Sequence, residues 1–134
     1  MTEYPAVLIV GHGSRRPQAV DVLRGAALRM RQRLVNARVD VAFLEHGDPN
    51  FAAALASCYA AGVRRLVVIP FFLLPGVHVT ADLPAEIASA RRRFPGLQIV
   101  QADFLGGHPA LGEVLCELFL DAAEASQWLQ RKGI

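Results

Sequence analysis

Two runs in this 134-residue chain are apolar almost without interruption, AVLIV at 6–10 and RLVVIPF at 65–71. A strand with one face in water alternates apolar and polar residues, whereas a strand buried on both faces does not. Runs this short, rich in Val and Ile and followed closely by glycine or proline, read as strands rather than helices. They predict the central strands of a sheet covered on both sides. Two further runs, RVDVAFL at 38–44 and LQIVQA at 97–102, alternate more, as edge strands do. Helical patterns near 17–35, 50–61, 82–93 and 109–130 follow the strands in turn. Such alternation builds a parallel sheet through right-handed crossovers. The expected fold is one α/β domain over residues 1–134: an open, parallel, four-stranded sheet with helices on both faces.

Local punctuation supports these boundaries. Pro17, Pro49 and Pro109 stand at helix starts, where a missing N–H costs little. Asp48 is the expected N-cap of the second helix, and Thr80 or Asp82 that of the third. Gly62 is placed to close the second helix. Arg91, Arg92 and Arg93 end the third, where the helix dipole favours positive charge, and read as a solvated face.

Composition narrows the functional classes. A formal charge of +2 does not call for a nucleic-acid partner. The longest apolar stretch, 66–79, is broken by Pro70, Pro75 and Gly76 and falls short of the roughly 20 residues a membrane helix needs. The first strand lacks the basic lead of a secretory signal. Cys58 and Cys116 form no metal-binding pair and sit in apolar helical patterns, so both are expected to be buried free thiols. These features predict a soluble protein of a reducing, cytoplasmic compartment.

In an open parallel sheet, ligands bind beyond the carboxyl ends of the strands. Four segments reach that edge: GHGS at 11–14, EHGD at 45–48, LPGVH at 74–78 and GGH at 106–108. All four histidines of the chain lie in them. His12 stands between two glycines, which permit close approach of a ligand to the backbone. His12, Glu45 and His78 follow one another at intervals of 33 residues. Two imidazoles and a carboxylate suit a divalent first-row metal and leave coordination positions open. Each imidazole can also accept a proton near neutral pH. His46 has no assigned role, and His108, before Pro109, reads as a helix start. Neither GxxxxGKS nor GxxxxGKT is present, which argues against a P-loop. A phospho-acceptor domain would carry aspartates where this chain has Gly11 and Phe72.

From residue 7 to about 118 the chain resembles the small class II chelatases of the sirohydrochlorin cobaltochelatase and ferrochelatase family. The resemblance rests on VGHGS at 10–14, FLE at 43–45 and, above all, VIPFFLLPGVHVTADLP at 68–84. It departs at His46 and Gly47, where an apolar pair is expected, and His46 becomes an extra candidate ligand. The resemblance implies a flavodoxin-like fold, with His12 and His78 as catalytic and metal-binding residues joined by Glu45. It implies insertion of cobalt or iron, or nickel, into sirohydrochlorin for cobalamin or siroheme, with the metal as substrate and no organic cofactor. It also implies a short form that pairs with itself as a homodimer. In such a site the macrocycle is expected to lie against Leu73, Leu74 and Val77. Arg15 or Arg16 would bind its carboxylates, and His12 would take a pyrrole proton. A non-catalytic metal or tetrapyrrole carrier on the same fold is the alternative.

Overall fold

The structure, a computed structural model, describes residues 5–131. In chain order the elements are β1 (Ala6–Gly13), α1 (Pro17–Arg33), β2 (Val39–His46), α2 (Phe51–Ala60) and β3 (Arg65–Pro70). A π turn (His78–Asp82) then leads into α3 (Leu83–Arg93), followed by β4 (Gln98–Gln101), a 3-10 turn (Leu105–Gly107) and α4 (Ala110–Ala125). All pairings are parallel and the strand order is β2-β1-β3-β4. The two continuous apolar runs are therefore the central strands, and the alternating ones form the edges, as expected.

The sheet divides the core in two. Leu8 and Val10 of β1 and Leu66 and Val68 of β3 pack with Phe51 and Leu55 of α2 and with Leu83 and Ile87 of α3. On the other face, Val7 and Ile9 meet Val39, Val41 and Phe43 under Leu23 and Ala27 of α1. Leu8, Val10 and Val68 are fully buried, and each such side chain contributes about 1.5–3 kcal/mol by leaving water. Both edges are capped by arginine. Arg31 Nε donates to Val39 O on β2, and Arg91 donates to Ile99 O on β4, each at 2.8 Å. These bonds occupy carbonyls that an exposed edge would otherwise offer to another chain. Arg91 is thus partly withdrawn from the solvated face expected for the arginine triplet.

Several local expectations change. Asn50, not Asp48, caps α2, its side chain accepting from Ala53 N. Neither Thr80 nor Asp82 makes a capping bond; winding begins at His78 through the wider π turn. Gly62 does close α2: it takes φ +95°, its N–H donates to Tyr59 O, and the Val63 N–H donates to Cys58 O. Cys58 is buried as expected, with Sγ 3.7 Å from Asp40 Oδ2, whereas Cys116 is exposed on α4. The helical layers are also uneven. α1 covers one face and α2 and α3 the other, but α4 buries only Ala123 and leaves Leu115, Leu118 and Phe119 in solvent.

Candidate metal site at the carboxyl edge of the sheet

β1 and β2 run further than their apolar cores suggest, so His12 and Glu45 are strand residues rather than loop residues. Their alignment depends on a bulge. Gly11 pairs with Phe43 but Gly13 pairs with His46, so three steps of β2 match two of β1. Gly13 is required there: its φ is +98°, and a Cβ would lie 1.7 Å from His46 O. On the other side, a Cβ at Gly11 would come within 3.2 Å of Leu23 Cδ2. The glycines flanking His12 therefore admit neighbouring protein rather than a ligand, a correction to their sequence reading.

His78 arrives from the third side, as the first residue of the π turn. The five-residue turn sets the side chains of His78 and Asp82 together on one face, and His78 Nδ1 lies 2.9 Å from Asp82 Oδ2. With Nδ1–H given to this carboxylate, His78 directs Nε2 at the other donors. Nε2 lies 3.1 Å from His12 Nδ1 and 4.0 Å from Glu45 Oε1, while His12 Nε2 is 3.2 Å from Glu45 Oε2. Phe72 stacks on the His78 ring at 5.9 Å between centroids.

The tautomers of the two histidines are tied together by their contact. If His78 donates to Asp82, its Nε2 must accept from His12 Nδ1–H. His12 Nε2 then faces the Glu45 carboxylate.

One ligand atom from each of His12, Glu45 and His78 lies within 4.8 Å of the others. All three side chains keep some exposure, Glu45 the most, so a cation bound there retains open positions. Among the expected site residues, Leu73, Leu74 and Val77 form an exposed apolar ledge between β3 and the π turn. Arg15 is exposed between β1 and α1, beside a turn in which Arg16 N–H donates to Ser14 Oγ. His46 contributes backbone to the bulge and stays outside the donor cluster. His108 accepts from Ala110 N–H through Nδ1 and starts α4, as read. Asp82 is the residue sequence reasoning missed. Its signal was the i,i+4 spacing from His78, which a helical turn converts into contact.

An open parallel sheet with an imidazole–carboxylate–imidazole cluster on its carboxyl edge defines a narrow class of α/β protein. The chain belongs to the CbiX family, whose model matches residues 6–122. It is 33% identical over 109 residues to the chloroplastic sirohydrochlorin ferrochelatase of Arabidopsis thaliana, covering 81% of this chain and 48% of that protein. It is 35% identical over 111 residues to a sirohydrochlorin cobaltochelatase of Priestia megaterium, covering 82% and 36%. The chain thus spans half or less of the length of these two relatives. Its fold matches a cobalamin (vitamin B12) biosynthesis CbiX protein from Marinobacter aquaeolei VT8 with a TM-score of 0.81, at 23% identity over 91% of this chain and 99% of that one. The sirohydrochlorin chelatase SirB from Bacillus subtilis subspecies spizizenii, in complex with cobalt, matches with a TM-score of 0.75 and 31% identity, over 89% of this chain and 51% of that one. The four-stranded parallel α/β fold read from the sequence is the fold of this family.

Proposed function

We propose that the protein inserts a divalent metal, cobalt or iron, into sirohydrochlorin, with the metal as a substrate. The observation that carries this reading is the convergence of His12, Glu45 and His78 on one partly exposed point. These three residues hold the ion, and His12 and His78 are the catalytic pair. Insertion releases two pyrrole protons for each metal bound, so bases must stand beside the ring. As the ion passes from these donors to the ring, His12 and Glu45 are freed to accept them. The ledge of Leu73, Leu74 and Val77 offers the macrocycle an apolar seat, and Arg15 offers its carboxylates a bidentate partner. No organic cofactor enters this chemistry. Among the described residues no helix is long and apolar enough to cross a membrane, and the reading puts the enzyme in the cytoplasm. Residues 1–134 act as one chelatase unit that pairs with a second copy.

The test is anaerobic absorbance spectroscopy of purified protein with sirohydrochlorin and Co(II), Fe(II) or Ni(II) in turn. Metallation shifts the macrocycle bands, and His12→Ala and His78→Ala should each abolish the catalysed shift while leaving the fold intact. Parent-rate metallation by either variant overturns the mechanism. Tight binding without metallated product is the result a carrier gives.

A further inference from the structure

The outer edge of β2 is closed at two places and open between them. Val7 N–H donates to Arg38 O, so residues 38, 40 and 42 turn their backbone groups toward β1. Val39, Val41 and Phe43 then face outward. Arg31 Nε takes the carbonyl of Val39, and the N–H of Phe43 donates to Pro49 O. Among the described residues nothing pairs with the outward N–H and C=O of Val41. A gap of one residue is too short for an added strand.

A groove of about 200 Å³ opens at this gap, between α1 and α2. That is below the roughly 300–1,000 Å³ of sites for drug-sized ligands. None of His12, Glu45 and His78 lines it. Along β2, Val41 stands before Glu45 by about 13 Å of extended strand.

Guanidinium groups line the groove, from Arg24 and Arg31 on α1 and from Arg38 before β2. Arg24 and Arg31 make no ion pair among the described residues; their bonds run to the carbonyls of Asp48 and Val39. Arg38 Nε is paired with Asp40 Oδ2 at 2.6 Å. Arg38 Nη2 also donates to Ser57 Oγ at 3.3 Å, which leaves the Ser57 O–H to donate in turn. Three positive charges thus face one carboxylate, and each guanidinium keeps N–H donors to spare. The Val41 N–H adds another, and donors in such surplus suit an oxyanion. Two acceptors stand among them, the Asp40 carboxylate and the Val41 carbonyl. Both repel a fully ionised oxyanion and accept from one that keeps a proton.

We propose that this groove binds hydrogenphosphate, a tetrahedral oxyanion that keeps one proton at neutral pH. Its ionised oxygens accept from the guanidinium groups and from the Val41 N–H. Its O–H donates to Asp40 or to Val41 O. Sulfate has the same shape but no proton at this pH, so the two acceptors turn it away. The site lies outside the metal cluster and goes beyond the chelatase reading.

Calorimetric titration with sodium phosphate and with sodium sulfate at neutral pH tests it, with amide NMR of Val41 to locate the ion and circular dichroism to confirm the fold of each variant. Phosphate should bind about tenfold more tightly than sulfate, or better, and should move the Val41 amide resonance. Arg24→Gln and Arg38→Gln, both at exposed positions, should each weaken phosphate about tenfold. Arg92→Gln removes the same charge from α3 and should leave phosphate binding within twofold. Asp40→Asn should narrow the preference over sulfate. Absence of phosphate binding at millimolar concentration, or equal binding of sulfate, overturns the proposal. So does a Val41 amide that stays in place, or a loss in Arg92→Gln as large as that in Arg38→Gln. None of these results bears on metal insertion, which is read separately by absorbance.

Discussion

Replacing Asp82 by Asn tests whether the bond between Asp82 and His78 sets the metal affinity of the cluster. The substitution keeps the shape of the side chain and removes its charge. In the parent, the carboxylate 2.9 Å from His78 Nδ1 holds the proton on that nitrogen and leaves Nε2 free to ligate. Asn can instead turn its amide N–H toward Nδ1, which favours the tautomer with the proton on Nε2 and blocks ligation. A hydrogen bond to a charged group contributes about 1.5–3 kcal/mol. Asp82 is half exposed here, so the lower end, about 1.5 kcal/mol, is the reasonable share. At 1.4 kcal/mol per tenfold, Asp82→Asn should weaken Co(II) binding about tenfold. That lies at the lower end of the 10–100-fold losses found when partners of metal-bound histidines are removed. Calorimetric titration with Co(II) reads the affinity, and nitrogen NMR of the His78 ring reads the tautomer. Parent-like affinity, within twofold, with the proton still on Nδ1 would refute the reasoning.

Other consequences follow from the same geometry. Gly13→Ala combines a positive φ with a clash against His46 O and should cost about 2–4 kcal/mol. It should also spoil Co(II) binding by shifting the end of β2; an unchanged melting temperature and affinity would contradict this. Burial pushes the Cys58 thiol up to about 11, against the opposing pull of Arg38. Ellman titration of the folded protein at pH 8 should therefore find one reactive thiol, Cys116, and a second only after denaturation. An unfolded cysteine ionises near about 8.5, so the folded state binds the extra proton between there and about 11. Stability should fall as pH rises through that window, and less so in Cys58→Ala; equal slopes in melting curves would rule this out.

The sheet was legible because its signal is local and dense. β1 and β3 are apolar on both faces, and nothing but a central position satisfies such a strand. The carboxyl-edge rule then selected His12, Glu45 and His78 from a short list, and the three do converge. What escaped depends on backbone detail that residue types do not encode. Asp82 read as a cap because a π turn cannot be told from an α-helical start by composition. Gly11 and Gly13 read as room for a ligand, whereas Leu23 and the His46 carbonyl fill that space. For α4, amphipathicity promised an apolar face but did not say what covers it. Cys116 was misplaced with the helix that carries it.

The bulge between β1 and β2 also decides how the cluster can deform. The backbones of His12 and Glu45 belong to adjacent, hydrogen-bonded strands and are held at a set separation by the ladder between them. His78 is carried by the π turn, beyond the exposed stretch from Leu73 to Val77. The three donors therefore work as a vice with one fixed jaw and one sliding jaw. Any backbone adjustment to the radius of an ion, or backbone opening that lets the ion leave for a ring, comes from the side of His78.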